Sequence, residues 1–427
     1  MKLKTTKSLW GMLAVLAFSA CSSNSDEGSG QHVWNVTLQA SMDDGSTRAL
    51  SEGTGNAITA SFAVNDEVVV VDADGSTIVG ILRADAAGVN TTLKGKLNAA
   101  SLANGEMVTL RYRSATANYD GQVGTLAGIA TSQDYAEGTL TVSTTTPLTF
   151  TTGNVTLSAK QSITKFSFTA GGNPVNVETF GIAATGLVQS ITTNATETVG
   201  PVTGTLATAS ADVYVALRNN SGEKQTYSFM VKGGDGHWYT GTKKANLTNG
   251  KNYTASVTLT QLPALTNESA EGTIGVVGNL PAIVVNFSGT KKAVAMMNVG
   301  ALCPEAYGAY YTFANRASGL SNGWYVPEQS ELDALVAKSN AWGAQNGVNG
   351  RLFTIATGKT LFFPAGGLDD GDNVPADFWQ VSVLGYYWSS LSASDTMAYC
   401  LSFGSSSIST LSDYKIDGLS IRPFHAL

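Results

Sequence analysis

The chain has 427 residues, which is too long for one hydrophobic core and predicts about three domains at ordinary domain sizes. Charged residues make up 13% of the total, against about 25% in an average soluble domain, and small residues such as Gly fill the difference, as in β-rich extracellular proteins. The net charge is −7, and no cluster of Lys and Arg follows the first seven residues, which excludes nucleic acid and an anionic membrane surface as partners.

The first 20 residues have the organisation of an export signal. A basic region with Lys2, Lys4 and Lys7 precedes an apolar segment, residues 8–20, that is too short to span a bilayer. With the small residues before Cys21, the segment resembles a bacterial lipoprotein signal, which implies cleavage before Cys21 and lipidation of its thiol. The alternative is an ordinary secretory signal that happens to contain a cysteine. The polar, acidic residues 21–31 predict a tether, and a similar tether marks some Gram-negative lipoproteins for the outer face.

Two consecutive blocks, residues 32–157 and 158–262, show the pattern of short strands separated by turns. In the first block, Val68 to Val71 is an apolar run typical of a buried strand, and Asp74-Gly75 supplies the turn that follows. In the second block, apolar and polar residues alternate along 227–231 before a Gly-rich turn. Short strands with almost no helical periodicity predict two β-sandwiches in series.

Five stretches in these blocks look like the fimbrillin family of type V pilus subunits, and their order after the export signal carries the resemblance. They are Thr47 to Leu50, Ile58 to Glu67, Leu93 to Leu97, Tyr119 to Leu126 and Leu247 to Tyr253. Fimbrillins are lipoprotein precursors with two transthyretin-like β-sandwiches. The resemblance therefore implies this architecture for about residues 21–262.

The resemblance also implies a proteolytic maturation step. In that family a trypsin-like protease cuts after a basic residue near the start, which removes the lipid and the first strand. The exposed groove then accepts a strand from the next subunit by β-strand addition. Arg48 is the residue that matches, because it is the first Lys or Arg after the export signal. The alternative is that Arg48 is an ordinary exposed arginine.

The sequence changes character after the second block. Residues 263–280 are small and polar and predict a connector with little to bury. From residue 281 the sequence predicts a compact α+β domain with helices over Ala306 to Ala317 and Pro327 to Val336. Proline near the first helical position and acidic residues in the first turn favour the second of these helices.

This last domain, residues 281–427, resembles the bacterial major paralogous domains, which belong with the C-type-lectin-like and formylglycine-generating-enzyme-like folds. The matching residues are Gly323 to Pro327 with Glu331-Leu332, Phe363 to Gly366, Tyr386 to Ser390, and Ser420 to Pro423. The predicted fold class is mainly β, with two transthyretin-like β-sandwich domains followed by a C-type-lectin-like α+β domain. The resemblance predicts a fold rather than an activity, because one fold hosts unrelated functions.

An acidic stretch in the last domain is the candidate ligand-binding site. It contains Asp369, Asp370 and Asp372, and the aromatic Trp379 follows. Its oxygen density suits calcium, but it lacks the twelve-residue spacing and the final Glu of an EF-hand. The alternative is a solvated acidic turn. Calcium binding at this stretch therefore remains one of two alternatives. We predict no other metal and no other cofactor.

The aromatic residues Trp324 and Trp388 are predicted core residues, because they lie in the stretches that carry the fold resemblance and large aromatics dominate small cores. The alternative is that they form a sugar-stacking site. Cys303 and Cys400 predict a disulfide in an exported chain, and the alternative is two buried free thiols. The three histidines show no metal-ligand spacing, and the local pattern confines no Ser/His/Asp or Cys/His set to one domain. We therefore expect no enzymatic activity.

Together these features predict a pilus tip subunit that acts as an adhesin. The strand that ends the second sandwich, near Leu262, runs into a folded domain, so it is not a free tail that a neighbour can borrow. The expected partners are other pilus subunits, a lipid anchor in the precursor, and a host or bacterial surface glycan or protein. We expect the precursor at the cell outer membrane and the mature subunit in the fimbrium. Two alternatives stay open: a surface lipoprotein that binds polysaccharide without polymerising, and a structural cap or anchor.

Overall fold

The structure is a computed structural model that describes residues 32–43, 51–52, 58–59, 61–371 and 377–427. The chain is mainly β, as the sequence predicts. The elements up to residue 159 are β1 (Val33–Met42), β2 (Ser51–Glu52), β3 (Ile58–Thr59), β4 (Glu67–Val71), β5 (Ile78–Ala84), β6 (Asn90–Asn98), β7 (Met107–Tyr112), β8 (Ala117–Asn118), α1 (Leu126–Ser132), β9 (Ala136–Thr145), β10 (Leu148–Phe150) and β11 (Asn154–Ala159). Neither helix found in the described part of the chain has the length and apolar character needed to cross a membrane.

The first sheet closes on itself and forms what we call the barrel unit. Its strands follow the order β10-β9-β11-β1-β6-β5-β4-β7, and β7 pairs back with β9. Alternate apolar side chains point into one core that contains Leu38, Leu82, Leu93 and Leu110. The apolar run Val68 to Val71 forms most of β4 and is buried throughout, so the prediction of a buried strand is confirmed.

A second, larger sheet forms what we call the second β unit. Its main strands follow the order β16-β15-β18-β12-β21-β20-β19-β14-β17. Phe166, Phe168 and Phe229 pack ring against ring at its centre, with centroids 5.2–5.9 Å apart. The strands added after residue 159 are β12 (Ser162–Ala170), β13 (Asn173–Pro174), β14 (Val177–Ala183), β15 (Leu187–Ile191), β16 (Glu197–Val199), β17 (Val202–Ser210), β18 (Asp212–Asn219), β19 (Gln225–Gly233), β20 (Trp238–Ala245) and β21 (Asn252–Gln261).

The division between these two units differs from the predicted boundary at residue 157. Residues 117–135 leave the barrel unit after β7 and pack in the core of the second β unit through Tyr119, Ile129 and Tyr135. The buried side-chain amide of Gln122 holds this segment against the second β unit. Its Nε2 donates to the Ala216 carbonyl at 2.7 Å, and its Oε1 accepts from the Ala216 N–H at 2.9 Å. The chain then returns to the barrel unit with β9.

The last domain contains several small sheets around one helix. They follow the orders β22-β23-β24-β35, β25-β34-β31-β32-β33, β26-β27-β28 and β29-β30. The elements are β22 (Ile274–Val277), β23 (Leu280–Phe287), β24 (Thr290–Ala295), β25 (Tyr310–Tyr311), α2 (Gln329–Val336), β26 (Asn340–Gln345), β27 (Val348–Ala356), β28 (Lys359–Pro364), β29 (Leu368–Asp370), β30 (Asp377–Trp379), β31 (Gly385–Ser392), β32 (Met397–Phe403), β33 (Ile408–Tyr414), β34 (Leu419–Ser420) and β35 (Phe424–Ala426).

Of the two predicted helices, one is confirmed and one is wrong. The helix predicted from Pro327 forms as α2, and Glu331 in its first turn accepts a hydrogen bond from the Glu328 N–H at 2.7 Å, as in a capping box. The helix predicted over residues 306–317 is replaced by β25 and a 3₁₀ turn. Gly308 explains the difference, because its φ of +77° lies in the left-handed region, which interrupts a right-handed helix.

The prediction that residues 263–280 form a connector with little to bury is also wrong. Residues 274–277 form β22 at the edge of a sheet, and Leu265 packs in a core cluster with Val284 and Trp324. The segment therefore belongs to the last domain, which leaves no unpacked spacer there. Trp324 and Trp388 are 5% and 0% exposed, so their predicted place in the core is confirmed.

Candidate functional site

The first candidate site is the place of strand β1 in the barrel unit. β1 runs antiparallel to β6, with Val33 opposite Asn98 and Ser41 opposite Asn90. On its other side the end of β1 runs parallel to β11. Alternate side chains of β1 point into the core, and these are Val36, Leu38, Ala40 and Met42. If β1 were removed, facing edges of β6 and β11 and a row of apolar sites between them would be left without partners.

Two predicted processing residues lie outside the described residues. Cys21, the predicted lipidation site, precedes the first described residue, and Arg48, the predicted cleavage site, falls in the sequence between β1 and β2. A cut after Arg48 would separate β1 from the rest of the barrel unit, because β1 ends at Met42. Both assignments stay predictions.

The second candidate feature is β21, the strand that ends the second β unit. It lies parallel to β12 over eight residue pairs, from Asn252 beside Ile163 to Leu259 beside Ala170. On its other side it pairs antiparallel with β20. Val257 and Leu259 are buried in the core of the unit. β21 is therefore an inner strand held from both sides.

The chain passes directly from β21 into a packed junction with the last domain. Leu262 joins a buried cluster with Met230 and Trp238 of the second β unit and with Met297 and Cys303 of the last domain. The indole Nε1–H of Trp238 donates to the backbone oxygen of Asn279 at 2.9 Å. These contacts hold the end of β21 against the domain that follows it.

The predicted acidic site forms part of the β29–β30 hairpin. Asp369 and Asp370 lie on β29, and Trp379 lies on β30 with 57% of its surface exposed, so the structure brings these three residues to one hairpin. Asp372 lies outside the described residues. Within the described part of the chain, no group of three or more His, Cys, Asp and Glu side chains is arranged to hold a metal ion. Calcium binding at the hairpin stays a prediction.

A pair of carboxylates that was not predicted from the sequence, Asp413 and Asp417, lies next to this hairpin. Burial and, after it, the negative charges of Asp413 and Asp370 together raise the pKa of Asp417 to about 6. Burial also raises the pKa of Asp413. A turn after β33 separates the two residues in the sequence. Their proximity depends on how that turn folds back, and a local sequence pattern does not show this.

The predicted disulfide between Cys303 and Cys400 is wrong in this structure. Both thiols are free and buried. Cys303 packs in the junction cluster, whereas Cys400 packs with Trp388 and Ile421 inside the last domain. The alternative, two buried free thiols, is the arrangement found. Burial raises the pKa of both thiols, and nearby carboxylates raise it further, so neither is activated as a nucleophile.

Glu305 is a buried carboxyl group at the same junction that the sequence analysis missed. It is 3% exposed and accepts hydrogen bonds from Gln345 Nε2 at 2.9 Å and Asn346 Nδ2 at 2.6 Å. Burial raises its pKa, and the two amide donors oppose this rise. Its contacts hold the tip of the β26–β27 hairpin, where Gly347 approaches Val199 of the second β unit. We assign Glu305 a structural role.

Comparisons with known proteins give little beyond this geometry. No protein-family model and no curated protein matches the chain. Among solved structures, it is similar to a candidate cell adhesion protein from Bacteroides uniformis, at 14% identity over 53% of this chain and 96% of that chain, with a TM-score of 0.32.

Two further solved structures carry names from fimbrial biology. A fimbrial assembly protein from Parabacteroides distasonis is 13% identical over 52% of this chain and 90% of its own, with a TM-score of 0.26. The C-terminally truncated tip fimbrial protein Mfa3 from Porphyromonas gingivalis is 9% identical over 51% of this chain and 91% of its own, also with a TM-score of 0.26. TM-scores this low assign neither a fold nor a function to this chain.

Proposed function

We propose that the chain is a tip subunit of a type V pilus and acts as an adhesin. It is exported as a lipoprotein precursor anchored through Cys21, cleaved after Arg48, and joined to the next subunit by strand exchange. The precursor is held at the outer membrane, and the mature subunit lies in the fimbrium with its last domain exposed. That domain presents the binding surface for a glycan or protein on a host or bacterial cell.

The position of β1 supports the strand-exchange step. The strand lies between two neighbours, alternates apolar and polar side chains, and ends six residues before Arg48 in the sequence. Its loss leaves backbone donors and acceptors of β6 and β11 unpaired, which is costly unless another strand replaces it. An incoming strand with the same alternation would restore both the ladder and the core.

The main support for the proposed tip position is that β21 lies inside its sheet, between two neighbouring strands. A subunit inside a strand-exchange fibre must offer a strand to its neighbour. Here the strand that ends the second β unit pairs with both β12 and β20, and Leu262 beyond it is buried at the junction. Releasing β21 would open the core of the second β unit and expose Val257 and Leu259. The subunit can therefore accept a strand but does not offer this one.

An Arg48→Ala variant tests the assembly part of the proposal. We expect the variant to keep its lipid and residues 21–48 and to be missing from sheared fimbriae, because β1 then stays in the groove. The matched control is Lys96→Ala, which removes an exposed basic side chain within β6, where the backbone is held in the sheet. Metabolic lipid labelling and immunoblots of sheared fimbriae provide the measurement. Normal incorporation of Arg48→Ala would refute cleavage at this residue.

A further inference from the structure

A cleft of about 350 Å³ lies where the second β unit meets the last domain. It is separate from the groove of β1. Residues of the second β unit, among them Asp120 and Gln189, form one wall, and residues of the last domain, among them Tyr307, Tyr310 and Phe378, form the other. The volume falls within the range of about 300–1,000 Å³ that is typical of sites for small ligands.

The wall from the last domain is aromatic and held in place. The rings of Tyr310 and Phe378 lie 5.0 Å apart at an angle of 45°, and Phe378 is 51% exposed. The hydroxyl of Tyr310 donates to the Gly366 carbonyl, and the hydroxyl of Tyr307 shares a hydrogen bond of 2.9 Å with Ser382 Oγ. Because these bonds fix the two phenols, the cleft has a preformed aromatic surface.

The opposite wall is polar and equally fixed. Asp120 Oδ1 accepts from the Thr203 N–H at 2.8 Å and from Thr203 Oγ1 at 2.6 Å. Asp120 Oδ2 accepts from Gln189 Nε2 at 3.3 Å, and the same nitrogen donates to the Pro201 carbonyl at 3.1 Å. These hydrogen bonds hold a carboxylate and an amide across from the aromatic wall.

This combination matches the surface chemistry of a sugar ring. A pyranose presents C–H groups on one face, which pack on the electron-rich face of an aromatic ring, and hydroxyl groups at its edge, which need both acceptors and donors. The lining includes one acidic residue, Asp120, and no Lys, Arg or His among the residues that the structure places there. An anionic ligand would meet a carboxylate with no compensating cation, which disfavours it.

We propose that this cleft binds a neutral sugar, with the ring stacked on Phe378 and Tyr310 and its hydroxyl groups facing Asp120 and Gln189. The proposal rests on the adhesin function proposed above and names the site and the ligand class. It also assigns a role to the junction, because the site is complete only when the second β unit and the last domain are docked. The acidic hairpin residues Asp369 and Asp370 do not line the cleft.

The test uses the full chain and immobilised polysaccharides. The neutral probes are mannan, galactan and glucan, and the acidic probes are polygalacturonate and polysialic acid. We expect binding to at least one neutral probe and none to the acidic ones, measured by biolayer interferometry. Phe378→Ala and Gln189→Ala are expected to weaken that binding about tenfold, because each removes one wall contact.

Two controls make the result specific to the cleft. Trp379→Ala removes an equally exposed aromatic residue one position along β30, where successive side chains face opposite sides. Tyr414→Ala removes an exposed aromatic residue on β33. The Tyr414 variant is expected to bind as the unchanged chain does, whereas loss of binding in the Trp379 variant would place the sugar at the acidic hairpin instead of the cleft. Equal melting temperatures of the four variants would show that the fold is kept.

Three results would overturn the sugar site. They are unchanged binding by Phe378→Ala, a loss caused by Trp379→Ala instead, and no binding of any neutral probe. Labelling of fibre ends by an antibody to the chain is independent of these results. Labelled ends with no sugar binding would refute the cleft proposal alone, whereas absence of the chain from fibres would refute the proposed tip function.

Discussion

A Cβ atom added to Gly181 would lie 2.5 Å from the Cβ atom of Cys303. Gly181 belongs to β14 of the second β unit, and Cys303 belongs to the last domain, so the backbones of the two units approach as closely as packing allows. The absence of a side chain at Gly181 is what permits this approach. The two units are docked at this point, and the junction is a packed interface.

Replacing Gly181 by Ala should therefore destabilise the junction. We expect a loss of about 1–3 kcal/mol in the free energy of unfolding, the range found for overpacked sites, and faster proteolysis between residues 262 and 274. Urea denaturation and limited proteolysis measure the two effects. Gly153→Ala is the matched control, because a Cβ there meets nothing within 4 Å. Equal behaviour of the two variants would show that the units do not pack here.

Both cysteines of the last domain should be present as free thiols. Cys303 and Cys400 are 2% and 0% exposed, and burial raises the pKa of each thiol, so the reactive thiolate is scarce in the folded chain. We expect no reaction with iodoacetamide under native conditions and complete alkylation of both after denaturation without a reductant. Mass spectrometry of the peptides checks this outcome. A peptide pair linked through the two sulfurs would contradict the separate packing of the two residues.

Replacing Asp417 by Asn should stabilise the chain at neutral pH. The folded-state pKa of Asp417 is raised from 3.8 to about 6, chiefly by burial and then by the charge of Asp413. A raised carboxyl pKa means that the folded state binds the proton more tightly than the unfolded state. Its stabilising contribution is therefore full below pH 4 and is lost as the pH rises through 6.

The variant removes a charge that is unfavourable above pH 6, and the amide oxygen can still accept the hydrogen bond from the Gly371 N–H. We expect a gain of about 1 kcal/mol at pH 7 that disappears near pH 4, measured by urea denaturation across this range. Asp395→Asn, at an exposed position, is the control and should change little. A loss of stability at pH 7 would mean that Asp417 has a favourable partner when charged.

Tyr112→Phe tests a buried hydrogen bond of the barrel unit. The hydroxyl of Tyr112 donates to Asp66 Oδ2 at 2.7 Å, and the two residues are 0% and 3% exposed. The variant leaves a buried carboxylate with one donor fewer, so we expect a loss of about 1–3 kcal/mol. Tyr414→Phe, at a residue that is 58% exposed, should change stability by less than about 0.5 kcal/mol. Equal losses in both would rule out a special contribution from the buried pair.

Local sequence patterns predicted the structure correctly where an element depends on residues that are close in the sequence. The apolar run Val68 to Val71 predicted a buried strand, and the residues around Pro327 predicted the start of α2. Trp388 was correctly placed in the core, because a large aromatic residue in a strand of a small domain has few other places to be buried.

Local sequence patterns gave wrong predictions where the structure depends on which hydrophobic core a segment packs into. Residues 117–135 have strand and turn signals that fit either unit. They pack with the second β unit because Gln122 forms hydrogen bonds with Ala216, which is 94 positions away in the sequence. The predicted connector lacks a continuous apolar run, yet Leu265 and Val277 are enough to dock it. Cysteine spacing says nothing about distance in space, so the disulfide prediction rested on the expected compartment alone.

The sugar cleft was also beyond prediction from the sequence. Asp120, Gln189 and Phe378 are separated by tens to hundreds of positions, and they meet only because the second β unit and the last domain dock. The neighbouring Trp379 was the predicted ligand-binding residue, because it follows an acidic stretch in the sequence. The contact that distinguishes its neighbour Phe378 is the packing against Tyr310, which is a tertiary feature.

The location of the chain on intact cells tests the central claim most directly. Immunogold labelling with an antibody to the exposed strand β33 and its neighbours would show where the last domain lies. If β21 is not available to a neighbour, gold particles should sit at the ends of fibres, with one cluster per fibre. Particles spaced along fibre shafts would show that copies lie inside the filament, and the tip position would then be wrong.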